Sequence, residues 1–523
     1  MNTTTENVGA GKGHPKGLYV LFATEMWERF NYYGMRAILI LFMTKALLYE
    51  DGFASNLYGS YTGLVYLTPL IGGYIADRYW GNKRSIIVGG LLMAVGEFIL
   101  FFCGSLVDGT GEVSGLATLL FFCGLGFMIT GNGFFKPNIS SLVGQLYPKG
   151  DRRIDAAYTI FYMGINVGGM LGPFVCGLVG DTGNPADFKW AFLAGGIGML
   201  ISVIIQKIYQ DKYMVAPDGT PLGDVPGQAL PVAASGNIGV VPKNTGGVWN
   251  NPIAIVIGLL LMAGLFIAML YVDANVFGYL LYLMIAAVLF IAFVIFTDKS
   301  LNAGEKRRVG VIFIVSFFVV FFWSAFEQAG ASLNLFADRQ TNRDLGFFTV
   351  PASWFQSLNS AFVVLFAPVF AWLWIKMGRR EPSAPTKMAI GLALLAIGYL
   401  WIGYGVKNVS PDMKVSMIWL VGMYMLHTWG ELCLSPIGLS LVNKLAPLKF
   451  ASLLMAVWFL ANAFANKLAG VLSSLSPTDG KTTSVLGYQM NNMYDFFMLF
   501  VVMAGVASVI LMLLTKKLQQ MSK

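Results

Sequence analysis

The sequence predicts an all-α membrane protein, a bundle of many spanning helices, and three observations carry that expectation. Of 523 residues, 56% are hydrophobic and only 12% charged, with a mean hydropathy of +0.66. That balance leaves too little charge to cover a soluble surface. The apolar residues lie in long runs, and about 20 of them suffice to cross a hydrocarbon core as a helix. The few charges inside those runs recur at helical spacing, as the first run shows with Glu25, Glu28, Arg29 and Arg36. The abundant Gly and aromatic residues suit close helix contacts and interfacial anchoring.

Charged or Gly/Pro-rich breaks divide the chain into fourteen candidate spans. The first covers 18–48. Spans 55–77 and 85–107 are parted by the basic segment Arg78 to Arg84, and spans 114–146 and 154–180 by Pro148 to Arg153. Span 189–209 follows a Gly- and Pro-containing turn. Residues 211–250 are rich in Gly, Pro, Val and Asn without apolar periodicity and are expected to be a cytoplasmic linker. Spans 251–272 and 275–297 form a hairpin whose only charge is Asp273. With so little polarity, the pair is expected to sit at the periphery, outside the main helical bundle. The remaining spans are 309–337, 350–376, 387–406, 415–443, 450–475 and 491–515. Several exceed the minimum length, which implies tilt or bending. Residues 1–16 are polar and Gly-rich, and the run that follows is too long and too charged for a cleavable signal.

With both termini placed in the cytoplasm, 24 Lys and Arg fall on that side and seven on the other. This bias sets the expected orientation. It also accounts for the net charge of +8 without nucleic acid as a partner. The four cysteines, Cys103, Cys123, Cys176 and Cys433, lie in apolar segments without metal-ligand spacing. No cofactor or metal is expected. No nucleophile–base pair or phosphate-binding loop points to an enzyme.

The chain reads as duplicated. Asp77-Arg78-Tyr79-Trp80-Gly81-Asn82-Lys83-Arg84 follows the second span, and Lys376-Met377-Gly378-Arg379-Arg380 follows the tenth. If the hairpin is an insertion, each loop follows the second helix of a six-helix half. Gly73, Asp77, Arg78 and Gly81 make this resemble the major facilitator superfamily. The resemblance implies two bundles rocking about a central site. The expected division is an N-terminal bundle at 1–210, the linker at 211–250, the inserted hairpin at 251–308 and a C-terminal bundle at 309–523.

A charge at the bilayer centre costs roughly 2.5–3.5 kcal/mol on insertion scales, so such residues face a partner or a cavity. In the first span Glu25, Glu28, Arg29, Tyr32, Tyr33 and Arg36 occupy an arc of about 140°. This is one polar stripe, and Glu25 and Arg29 are spaced to pair. Burial favours a protonated carboxyl and a neighbouring Arg favours an ionised one, so a carboxyl balanced between them exchanges a proton when its pairing changes. The plainer reading is a static ion pair fixing helix packing. Lys136, Glu327, Glu431, Glu97 and Lys467 are further intramembrane charges. Glu97 suits a packing role, His427 a packed polar residue, and Lys467 either a bundle contact or a place in the lumen.

The motif Glu25-Met26-Trp27-Glu28-Arg29-Phe30-Asn31-Tyr32-Tyr33-Gly34 resembles the proton-dependent oligopeptide transporter (POT) family. So do Gly131-Asn132-Gly133-Phe134-Phe135-Lys136-Pro137-Asn138, Phe161-Tyr162-Met163-Gly164-Ile165-Asn166, Phe326-Glu327-Gln328, Gln356-Ser357-Leu358-Asn359 and Gly430-Glu431-Leu432-Cys433. These motifs run along nearly the whole chain, and the inserted pair resembles that of prokaryotic members. The resemblance implies a proton-coupled symporter importing di- and tripeptides across a bacterial inner (plasma) membrane, with peptide, protons and membrane lipid as partners. Arg36 and Lys136 then suit the peptide carboxylate and Glu431 the ammonium. Asn166, Asn359, Tyr33 and Tyr66 suit the amide groups, and Tyr32 and Trp458 the side-chain pockets. Lys136 is also placed to pair with Glu25 or Glu28 in the absence of peptide. Glu25, Glu28, Arg29 and Glu327 are the expected proton-coupling set, and Lys45 with Asp338 a candidate outer gate. Residues 51–80 hold no histidine, so the pH-linked histidine of some relatives has no counterpart there. Two alternatives stay open: a nitrate or other small-anion carrier on the same fold, and a transceptor.

Overall fold

The computed structural model describes residues 13–148, 151, 153–224, 251–275, 278–410, 413–477 and 482–522. The expected linker lies outside the described residues from 225 to 250. The first half contains α1 (Lys16–Lys45), α2 (Asp51–Leu67), α3 (Pro69–Ile75), α4 (Gly81–Ser105), α5 (Gly115–Gln145), α6 (Ile154–Gly180) and α7 (Phe188–Tyr213). The insertion is α8 (Pro252–Asn275) and α9 (Tyr279–Thr297). The second half contains α10 (Ala303–Phe326), α11 (Ser332–Arg339), α12 (Phe355–Met377), α13 (Ala384–Val406), α14 (Ile418–Leu445), α15 (Ala451–Ser473) and α16 (Met493–Met521).

Among the described residues, eleven helical stretches are long and apolar enough to cross a membrane. Neither the charged helix α1 nor α14 is among them, and the second and third expected spans fall in one continuous stretch, Asp51–Ser105, so apolar length by itself does not yield the expected fourteen. Two expected spans are broken. The second runs through α2 and α3 into a π-helical turn at Ala76–Trp80, ended by Gly81 with φ +72°. The ninth splits into α10 and α11 around a 3-10 turn at Glu327–Gly330. Short strands complete the fold: β1 (Thr341–Asn342) pairs in parallel with β2 (Val415–Ser416), and β3 (Thr483–Val485) forms a hairpin with β4 (Tyr488–Met490).

The packing of the two halves repeats. In the first, α1 packs on α6 and α7, and α4 on α5 and α7. In the second, α10 packs on α15 and α16, and α13 on α14 and α16. Glycine makes the closest of these crossings. A Cβ on Gly131 of α5 would lie 2.5 Å from the Gly89 carbonyl of α4, so only bare backbone fits there.

Two seams join the halves, α2 against α15 and α6 against α12. Both are tight toward the face opposite the chain termini. On the first seam a Cβ on Gly59 would lie 2.7 Å from Gly470 Cα, and Ser473 donates to Ser55 at 2.9 Å. On the second, Ser357 donates to the Met170 carbonyl at 2.8 Å, and Trp354 donates to the Phe174 carbonyl at 2.8 Å and stacks on its ring. That face is also tied by Lys45 to Asp338 at 2.6 Å and by Arg339 to Asp51.

The insertion departs from expectation. Its outer surface is apolar and exposed, as a lipid-facing hairpin requires, with Ile253, Leu261 and Phe290 among many such residues. Yet Asp273 does not sit in a solvated turn. It lies in the last turn of α8, fully buried, in an ion pair with Lys467 of α15. The expected pair without polar contacts thus has one buried charge, because the turn tucks inward against the seam. The same contact makes Lys467 a bundle contact.

Candidate transport site

The polar stripe of α1 faces inward between the halves. Arg29 contacts Glu25 at 2.7 Å and Glu28 at 2.8 Å, and all three are buried. Asn132 of α5 donates to the other Glu28 oxygen at 3.2 Å. One guanidinium thus faces two carboxylates, and the Glu25 Oε2 atom has no hydrogen-bond partner. Two buried carboxylates thus compete for one cation.

Two turns further along, Arg36 reaches across to the other half. It pairs with Glu327 and donates to the Tyr58 hydroxyl of α2. The break between α10 and α11 creates this contact, because the 3-10 turn swings the Glu327 carboxylate to α1. The turn is also crowded. A Cβ on Gly330 would collide with the Tyr58 hydroxyl. Lys136 pairs with neither Glu25 nor Glu28. Its Nζ instead lies 4.2 Å from the Tyr66 ring centre, a cation–π contact.

In the second half, Asn359 of α12 donates to Glu431 of α14 at 2.8 Å and to Thr428 at 3.1 Å. A cavity of about 1210 Å³ runs from Glu431 and Asn166 between α6, α12 and α14 to the face that carries the termini. Asp155, Trp374, Lys387 and Lys444 mark its mouth. Of the expected substrate residues, Asn166 and Glu431 line this cavity. Tyr32, Tyr33, Arg36, Tyr66, Lys136, Asn359 and Trp458 do not line it. Tyr32 and Trp458 are buried, and the Tyr32 hydroxyl has no partner. Glu97 is buried and accepts from Asn31 at 2.8 Å, while His427 packs beside Tyr399. Motif reading assigned no role to Tyr58 or Asn132. Each gains its place from a neighbouring helix, which local spacing does not reveal.

Two packed helical halves, buried opposite charges across their contact and a cavity running to one face define a membrane transporter rather than an enzyme. The known proteins it resembles agree. The POT family signature matches residues 83–488. The chain is 35% identical over 485 residues to the peptide transporter YePEPT of Yersinia enterocolitica, covering 90% of each. It is 33% identical over 468 residues to a di-/tripeptide transporter of Lactococcus lactis, covering 86% of this chain and 87% of that one. A crystal structure of a mutant peptide transporter POT in complex with alafosfalin superposes with a TM-score of 0.79 at 30% identity, covering 98% of this chain and 97% of that one. The chain belongs to the POT family, and its fold is that of the major facilitator transporters.

Proposed function

We propose that the chain is a proton-coupled symporter that imports di- and tripeptides by alternating access. The observation that carries this reading is the buried pair of Arg36 and Glu327, which joins one half to the other at the end of the polar stripe nearer Lys45. A peptide carboxylate binds a guanidinium through two parallel hydrogen bonds. Arriving at Arg36, it displaces Glu327, and a displaced buried carboxylate gains affinity for a proton. Glu25 and Glu28, competing for Arg29, form the second exchangeable site. Lys136 adds charge for the carboxylate, and Glu431, held by Asn359, faces the ammonium. Tyr33, Tyr66, Asn166 and Asn359 serve the amide groups, and Tyr32 and Trp458 the side chains. Opposite charges at the two ends select short zwitterions over single ions, and the names of the relatives support peptide as cargo.

Lys45 and Asp338 belong to the closure of the outer face. The working division is two bundles, 1–210 and 309–523, joined by the linker 211–250 and the hairpin 251–308. The chain lies in a bacterial inner membrane with both termini cytoplasmic.

The test is uptake of a labelled dipeptide into proteoliposomes, with and without an inward proton gradient and membrane potential. Accumulation above equilibrium that needs the gradient and is inhibited by unlabelled di- and tripeptides is expected. Absence of any peptide transport refutes the reading.

A further inference from the structure

The inserted hairpin straddles the seam between the halves. Its first helix, α8, packs on α5 and α2 of the first half. The α5 contact is close, since a Cβ on Gly126 would lie 2.4 Å from Ile267. Its second helix, α9, packs on α15 of the second half. The far end of α9 is fastened to that half as well, because Lys449, just before α15, donates to Asp298 at 2.7 Å and to Ser300 at 2.9 Å. The Lys449 ammonium and the Ser300 hydroxyl and amide hold the Asp298 carboxyl below its ordinary range. A hairpin kept only as packing has no need to grip both halves.

At the turn the grip is ionic. Lys467, fully buried, enters from α15. Its ammonium meets Ser60 Oγ at 2.8 Å, the side-chain and main-chain oxygens of Asn56 and the Asp273 carboxylate. Ser60 also donates to Asp273, and the second Asp273 oxygen accepts from the Leu280 amide at 2.9 Å across the turn. Gly278, with φ +84°, shapes that turn. The cage is therefore built by α2 and α8, and the cation that fills it belongs to the other half. An ammonium has three donors, and the cage supplies acceptors for all of them. Withdrawing Lys467 leaves an unpaired cation and an unpaired carboxylate in an apolar surround, which is strongly unfavourable until water or a proton reaches them. The cage also sits where Gly59 and Gly470 press α2 against α15, the seam that covers the route from the outer face to Arg36.

We propose that Asp273 and Lys467 form a latch holding the outer face closed, and that the inserted hairpin is a strap that sets the balance between the two access states. This inference rests on the alternating-access reading. Asp273 and Lys467 are positioning residues and touch no cargo.

The test is hydrogen–deuterium exchange of the full chain in lipid nanodiscs, comparing the unmodified protein with Asp273→Asn and Lys467→Met. Loss of the latch is expected to speed exchange about tenfold along 54–63 and 463–473 as the outer seam opens more often. Exchange along 156–163 and 364–374 is expected to slow, because the mouth on the other face closes when the outer seam opens. The swap of Asp273→Lys with Lys467→Asp should return both regions toward the original rates. Should either single variant fail to fold, the double Asp273→Asn with Lys467→Met leaves no unpaired charge and gives the same readout. Unchanged rates, or faster exchange in the hairpin alone without slowing at the mouth, overturn the latch. Dipeptide uptake measured on the same unmodified protein separates the two ideas. Uptake without any exchange shift in the variants defeats the latch alone. Opposed shifts without uptake support the latch and defeat peptide transport.

Discussion

Arg36 and Glu327 each occupy the partner that the other would exchange for cargo or proton. Substituting Glu327→Gln keeps the shape and removes the charge, leaving Arg36 with the Tyr58 hydroxyl but no carboxylate. Breaking one side of a buried pair costs about 3–5 kcal/mol, so a lower melting temperature is expected. Gradient-driven accumulation should vanish while exchange of labelled for unlabelled peptide persists, and Glu28→Gln should behave alike through the Arg29 cluster. Accumulation at the original level in both variants would remove these carboxylates from the coupling. Arg36→Lys, which loses the two-pronged geometry, should weaken peptide affinity about tenfold. The α1 residues were legible because six polar side chains on one arc of an apolar helix have few places to face. Tyr58 and Asn132 were not, since a lone Tyr or Asn in an apolar run becomes meaningful only beside its partner helix. Asp273 and Lys467 were each legible as a lone intramembrane charge, one acid in an otherwise uncharged hairpin and one base in an otherwise uncharged span, but their pairing was not, because it joins two distant helices.

The helices divide their glycines between two tasks. Within a half, Gly72 of α3 and Gly133 of α5 meet so closely that a Cβ on Gly72 would lie 2.0 Å from the Gly133 carbonyl. Between halves, Gly59 and Gly470 do the same for the seam that the proposed alternating access would part. Substitution of Gly133→Leu is therefore expected to destroy the first bundle and abolish the folded protein in size-exclusion and melting measurements. Gly59→Ala should leave both bundles folded and wedge the outer seam, lowering turnover severalfold while the melting temperature changes little. Equal loss of stability in both variants would contradict this division. Most helix positions followed from apolar runs, because lipid forces each span to close its own backbone hydrogen bonds. The breaks did not follow. The turn at Glu327–Gly330 lies inside a run that is apolar on both sides, and its carboxylate is tolerated only because Arg36 waits on another helix.

The resting arrangement is a property of the whole molecule, and sequence patterning has no access to it. Both access states use the same helices with the same faces inward, so an apolar pattern cannot distinguish them. The contacts do. The ion pairs and glycine crossings that join the two halves gather toward the face with Lys45, Asp51 and Asp338, while α6 and α12 diverge toward the face with the termini around the cavity. In the proposed orientation, with the termini cytoplasmic, the cavity opens to the cytoplasm. Thr159 is exposed on the cavity wall near its mouth. A Thr159→Cys variant should therefore react with a membrane-impermeant maleimide added at the cytoplasmic face of inside-out vesicles. It should react about tenfold more slowly in right-side-out vesicles, since labelling from outside needs passage through the closed seam. The native thiols provide a quiet background, because Cys103, Cys176 and Cys433 are buried and Cys123 is half-buried. Saturating dipeptide on the cytoplasmic side should slow the reaction by occupying the cavity. Faster labelling from the outer face would show that the sidedness is reversed or that the outer seam is the open one. Labelling of Lys45→Cys in the same vesicles separates these outcomes: it should react from the face opposite the termini whichever access state prevails.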